Sequence, residues 1–215
     1  MSSQFDQKDS HRPPRMGRAM LTLMLCVTLY SSALQAAPPE NTVELVDLEG
    51  QTHTPLRNAK AKATILFFLL PDCPISNAYA PEIKRIAAQY AEQEIASFIV
   101  YVSPDLSVED AKKHATDYGY EIPVLRDLSY ELVRETEVTI APEVAVVSAE
   151  GKCLYRGRID NLYAALGKRR YKATQHDLRN ALDAILQGVP VPQETTKAIG
   201  CYIPKPKTDA RLLTR

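Results

Sequence analysis

Residues 63–70 read Ala-Thr-Ile-Leu-Phe-Phe-Leu-Leu and run straight into Pro71, Asp72 and Cys73. A run of this length, with Thr64 its one polar residue, lacks the alternation of a strand that has one face in water. It suits a central strand covered on both faces, as in sheets flanked by helices. The run commits the chain to a layered core. It also delivers a cysteine to the point where that strand must end.

The rest of the pattern agrees. In residues 76–93, Ile83, Ile86, Ala87 and Tyr90 fall on one helical face. Residues 95–102 form a second apolar strand, closed by Ser103-Pro104. Ser107 opens a helix that runs to Tyr118 and stops at Gly119. A short strand at 122–125 and a short helix at 130–137 follow. Pro142 precedes a strand at 143–148, and Glu150-Gly151 turns it into a return strand at 152–158. Near the start, residues 42–47 alternate as a strand before Glu49-Gly50. Residues 161–175 read as irregular, with a basic cluster at Lys168, Arg169, Arg170 and Lys172. The last helix, 176–187, turns Leu178, Ala181, Leu182 and Ile185 inward. From Gly188 onward Pro190, Pro192, Pro204 and Pro206 mark an extended arm rather than a packed element. Strands alternating with helices imply an α/β fold with a mixed central sheet flanked by helices on both faces.

Charge and termini narrow the function. Lys plus Arg number 26 and so do Asp plus Glu, so the basic excess of a nucleic-acid binder is missing. Arg12, Arg15 and Arg18 precede an apolar run at 19–34 that ends in small residues around Ala36 and Ala37. That order is a secretory signal peptide, cleaved close to Ala36. An uncleaved anchor is the other reading, although a membrane span needs ~20 residues. The expected organisation is a signal peptide at 1–36, one domain at 37–188 and a Pro-rich arm at 189–215. Export, to a compartment such as a periplasm, puts Cys73, Cys153 and Cys201 where disulfides persist, while Cys26 leaves with the signal. Three is odd, so one thiol stays free or pairs between chains. No stable membrane span is expected after cleavage.

Cys73 sits between a strand and a helix. Helix N-termini favour negative charge and so favour a thiolate, the form that attacks disulfides and peroxides. The alternative is a buried, inert cysteine. The stretch Cys73-Pro74-Ile75-Ser76, then Pro81 within the helix, then Ala141-Pro142 before a closing hairpin, resembles the thioredoxin-like superfamily. The likeness lies with its exported redoxin branch of TlpA-like and AhpC/TSA-type proteins, and it covers about residues 42–187. Arg156-Gly157-Arg158-Ile159-Asp160, Gly167-Lys168-Arg169-Arg170 and Gly200-Cys201 are similar to runs in exported bacterial redoxin-domain proteins. The resemblance implies a thioredoxin-like fold, a cis-proline at Pro142 beside the reactive cysteine, and a thiol–disulfide oxidoreductase with Cys73 as nucleophile. Its implied partner is a protein carrying a thiol or a disulfide.

The departures from the family pattern define the candidate site. Ser76 replaces the second cysteine of a Cys-x-x-Cys pair, so Cys73 closes no local disulfide. Ser76 can still hold a hydrogen bond to a thiolate. Leu66 and Leu70 stand where a peroxiredoxin has its Pro and Thr, which speaks against a peroxidase. Cys201 is the candidate resolving thiol; the other reading is a tail cysteine that pairs with another chain or with nothing. Cys153 reads as packing in a hairpin strand. Glu143, next to Pro142, would raise the Cys73 pKa or relay its proton, or else be a solvated charge. Arg156 and Arg158 share a strand face and could stabilise a thiolate, or be solvated. His176 reads as a polar helix cap. No cofactor is expected. The alternatives are a copper-delivery protein using Cys73, Cys201 and His176, and a non-catalytic binding module using residues 161–172.

Overall fold

The structure is a computed structural model and describes residues 42–204. The signal-peptide reading and residues 205–215 lie outside those bounds. In chain order the elements are β1 (Leu45–Val46), β2 (Thr52–His53), β3 (Ala63–Leu69), α1 (Pro74–Ala78), α2 (Ala80–Ala91), β4 (Ile95–Tyr101), α3 (Val108–Tyr118) and β5 (Val124–Arg126). There follow α4 (Glu131–Thr136), β6 (Ile140–Ala141), β7 (Glu143–Ser148), β8 (Cys153–Gly157), β9 (Tyr163–Ala165), β10 (Lys168–Arg169), α5 (Asp177–Leu186) and β11 (Cys201–Tyr202).

The apolar run forms the middle of a five-stranded sheet of order β5-β4-β3-β7-β8. Every residue of β3 is buried. β4 lies parallel to β3 from Ala63↔Ile95 to Leu69↔Tyr101, and a parallel pair needs a long crossover, which α1 and α2 supply. β7 lies antiparallel on the other side, pairing Ala63 with Ser148 and Phe68 with Glu143, and β8 returns beside it. The sheet is mixed, with α2 packed on β4 and α5 on β8. Ile83, Ile86, Ala87 and Tyr90 are buried as their spacing requires. Ser107 caps α3 through the Asp110 amide at 3.0 Å, and Gly119, at φ 64°, ends it.

Four local readings change. The single helix expected over 76–93 is two helices that meet at Tyr79. Pro81 has no amide to give to Asn77, so the ladder breaks one turn before it. The strand expected at 42–47 shrinks to β1, because the Asp47 carboxylate gathers the Glu49 and Gln51 amides at 2.9 Å and turns the chain. The stretch expected to be irregular holds a small hairpin, β9–β10, closed at its base by Asn161 on Thr174 and Gln175.

The largest change is the C-terminal arm. It is extended, but it is also packed. Glu194 and Thr196 bond to both backbone groups of Arg156 along the outer edge of β8. Thr196 and Ala198 are buried, and β11 pairs antiparallel with β6. A sheet edge presents unpaired backbone groups that favour another strand. Two glycines make the approach close enough. A Cβ on Gly157 would collide with Thr196, and one on Gly200 with the Ala141 carbonyl.

Candidate active site around Cys73

β3 runs out at Leu69, and Pro71 turns the chain so that the Cys73 amide reaches back to the Leu70 carbonyl at 3.0 Å. Cys73 then occupies the N-cap of α1, with Pro74 in the first turn where no amide is missed. Asn77 fixes this turn from inside the helix. Its Nδ2 donates to the Pro71 carbonyl at 2.8 Å, which leaves Oδ1 for His114 Nε2 at 3.0 Å. His114 Nδ1 meets the Tyr101 hydroxyl at 2.6 Å. If Nε2 carries the proton that Asn77 accepts, Nδ1 accepts from Tyr101, and the ring is neutral. Burial holds the His114 pKa below its usual value, against the pull of Asp117 and Asp72.

Cys73 is 1% exposed and lies in a disulfide with Cys201, Cα to Cα 6.1 Å, across 128 positions of sequence. Its sulfur is 3.3 Å from the carbonyl oxygen of Ala141. The Ala141–Pro142 peptide bond is cis. β11 brings Cys201 in by pairing it with Ala141 and Tyr202 with Ile140, and the Ile203 amide donates to the Thr139 carbonyl at 3.1 Å.

The other site candidates have different surroundings from those expected. Ser76 is fully buried and its Oγ accepts from the Leu70 amide at 3.5 Å, so it braces the turn. Glu143 is buried too, yet its Oε2 accepts from the amides of Thr139 at 2.9 Å and Ile140 at 3.2 Å. It holds the chain ahead of Pro142 in shape. Arg156 and Arg158 do not share a face, because β8 ends at Gly157 between them. Arg156 reaches Glu137 at 2.7 Å and the carbonyls that end α4. Arg158 clamps Asp177 at 2.8 and 3.1 Å and Gln175 at 2.7 Å. Both are joints between elements. His176 makes no side-chain cap bond.

Among the described residues Cys153 is the free cysteine, and it is exposed rather than packed away. Its sulfur nonetheless folds back to the Tyr155 carbonyl at 3.4 Å, and desolvation raises the thiol pKa, which favours the thiol over the thiolate. Among the described residues no group of three or more His, Cys, Asp or Glu side chains is placed to hold a metal. No helix of the described residues is long and apolar enough to cross a membrane.

Sequence reading missed two supports. Tyr79, at the break between α1 and α2, donates to Asp160 Oδ1 at 2.6 Å, and the same oxygen accepts the Leu162 amide at 2.8 Å. This draws the chain after β8 onto the active-site helix. Thr196 is the other, since its Oγ1 meets the Tyr155 hydroxyl at 2.7 Å and the Arg158 amide at 3.0 Å. Nothing local signals either one. Tyr79 and Asp160 are 81 residues apart, and Thr196 and Tyr155 are 41 apart.

A Redoxin family model matches residues 33–164, which is more than half of the chain and includes Cys73, Ser76 and Pro142. The chain belongs to the Redoxin family. Among solved structures, an uncharacterized conserved protein from Geobacillus kaustophilus is 27% identical, with a TM-score of 0.68 over 79% of this chain and 92% of that one. A hypothetical protein from Sinorhizobium meliloti 1021 is 23% identical, with a TM-score of 0.66 over 80% of this chain and 95% of that one. MTB dsbF, in mixed oxidized and reduced forms, shares the thioredoxin-like fold at 20% identity and a TM-score of 0.52, over 70% of this chain and 99% of that one. No curated protein matches the chain. The Redoxin match ends at residue 164, so Cys201 and β11 fall beyond the family's span.

Proposed function

We propose that this Redoxin-family chain is an exported thiol–disulfide oxidoreductase in which Cys73 is the nucleophile and Cys201 the resolving thiol. In the reduced protein the Cys73 thiolate attacks one sulfur of a partner disulfide. A Cys73–partner bond forms, and the partner's other sulfur leaves as a thiolate. The Cys201 thiolate then attacks Cys73, the partner's second thiolate leaves, and the Cys73–Cys201 disulfide closes. The partner gains two electrons and the pair loses two. Ser76 in place of a local cysteine makes the distant thiol necessary.

One observation carries the reading. Cys201 is bonded to Cys73 and is held there by a strand that pairs beside Ala141, so the second thiol arrives through built structure. The apolar, buried Leu66 and Leu70 supply no hydroxyl for a peroxide, which favours a disulfide as the substrate. The basic, apolar, small-residue order of residues 12–37 and the Cys73–Cys201 disulfide fit export to a compartment where disulfides persist.

Turnover of a model peptide disulfide by the purified protein tests this. Cys73→Ser is expected to abolish exchange, a loss of at least ~100-fold set by removal of the nucleophile. Cys201→Ser is expected to stop after one turnover with the peptide bound to Cys73. Turnover by Cys73→Ser at the wild-type rate would refute the assignment.

A further inference from the structure

The two sulfurs of the disulfide face different surroundings. Cys73 is buried at 1% exposure, whereas Cys201 is only partly buried and its neighbour Tyr202 is 79% exposed. β11 reaches the Cys73 sulfur through Cys201. It takes the backbone edge of β6, where Cys201 pairs with Ala141, Tyr202 pairs with Ile140, and Ile203 donates to Thr139. An extended partner peptide that sought the same edge would find it filled. The seat is also tight, since a Cβ at Gly200 would meet the Ala141 carbonyl and the Ile140 side chain.

We propose that a reducing partner attacks the oxidised protein at Cys201, not at Cys73, and that residues 197–204 then lift off β6 and uncover Cys73. This rests on the exchange reading above and adds its reductive half. The partner is a dithiol protein. Its first thiolate attacks Cys201 Sγ, a partner–Cys201 bond forms, the Cys73–Cys201 bond breaks, and the electron pair leaves on Cys73 as a thiolate. The partner's second thiolate attacks its own sulfur in the mixed disulfide. The partner's disulfide closes and Cys201 leaves as a thiolate. Two electrons pass from the partner to the pair. The Cys73 sulfur, once protonated, has the Ala141 carbonyl at 3.3 Å as an acceptor.

The lift has a natural starting point. Glu194 and Thr196 stay bonded to Arg156, Tyr155 and Arg158 through contacts that do not involve the disulfide. Cys201 lies five positions after Thr196, a reach of at most ~17 Å. A thiol tethered so closely acts at an effective concentration on the order of millimolar. Cys201 can therefore leave β6, meet a reducing partner, and return to resolve the next mixed disulfide. The thiols divide the work: Cys201 faces the electron donor and Cys73 faces the partner disulfide.

Reduced glutathione, a monothiol, arrests the first step. The oxidised full chain is mixed with it, acid-quenched at early times, alkylated and mapped by mass spectrometry. We expect glutathione on Cys201 and alkylation on Cys73, in at least ~10-fold excess over the reverse pattern, from the burial of Cys73. Gly200→Ala, which pushes β11 away from Ala141, should raise attack at Cys73 to a comparable level. Glutathione mainly on Cys73 in the wild type, or no change of site in Gly200→Ala, would overturn the proposal while exchange itself stands. A folded disulfide that resists glutathione, while the unfolded chain reacts, would overturn the exchange reading as well.

Discussion

His114 is held between Tyr101 and Asn77, and through Asn77 it steadies the Pro71 carbonyl two residues before Cys73. Burial lowers its pKa, so the folded protein favours the neutral ring. An unfolded histidine titrates near ~6.5. Above that pH both states are neutral at this position and the full stability is present. As pH falls below ~6.5 the unfolded chain binds a proton that the fold resists, and stability is lost until the lower folded pKa is passed. Chemical denaturation at pH 7.5 and pH 5 should show a larger loss in the wild type than in His114→Gln. Equal losses would mean that the ring is protonated in the fold at no cost. Among single residues, Cys73 was legible from its place after an apolar run and before Pro74. The roles of Ser76 and Glu143 were not, because each depends on backbone amides that the turn brings into range only when folded.

The elements that sequence reveals best are those whose burial is written into a period. β3 and β4 are continuous apolar runs, and α2 and α5 carry their inner faces at helical spacing. Those it hides are made by tertiary contact. β11 is two residues long and exists because β6 offers an open edge beside Cys73. Its proline-rich surroundings read as an arm because prolines exclude regular pairing, and the segment does join the fold by a few chosen contacts rather than a long ladder. Thr196 is the chief of these. Thr196→Val keeps the shape but leaves the Arg158 amide and the Tyr155 hydroxyl without that oxygen. The loss should be about 1–3 kcal/mol, the cost of the Arg158 amide left unbonded, since the Tyr155 hydroxyl still donates to the Arg158 carbonyl at 2.6 Å. Thr196→Ser should recover most of it, and an unchanged denaturation midpoint in Thr196→Val would show that the segment is held elsewhere.

Across the molecule, one disulfide ties the start of α1 to the far end of the described chain, closing a separation of 128 residues. In a chain-entropy account a closure of this size stabilises the fold by roughly 4–5 kcal/mol. In the proposed exchange the same bond is the one that must open. On that proposal stability and activity share a switch: the disulfide-bonded form is closed at β6, while the Thr196 contacts do not involve the disulfide. Cys153, exposed but turned onto its own strand, stands outside that switch. In the proposed exchange Cys73 and Cys201 act as one two-electron couple. The direct measurement is equilibration of the protein across a series of thiol–disulfide buffers, with differential alkylation and peptide mapping at each step. Cys73 and Cys201 should become labelled together along a single two-electron curve, while Cys153 is labelled at every potential. Labelling of Cys73 independently of Cys201, or a disulfide that includes Cys153, would contradict it.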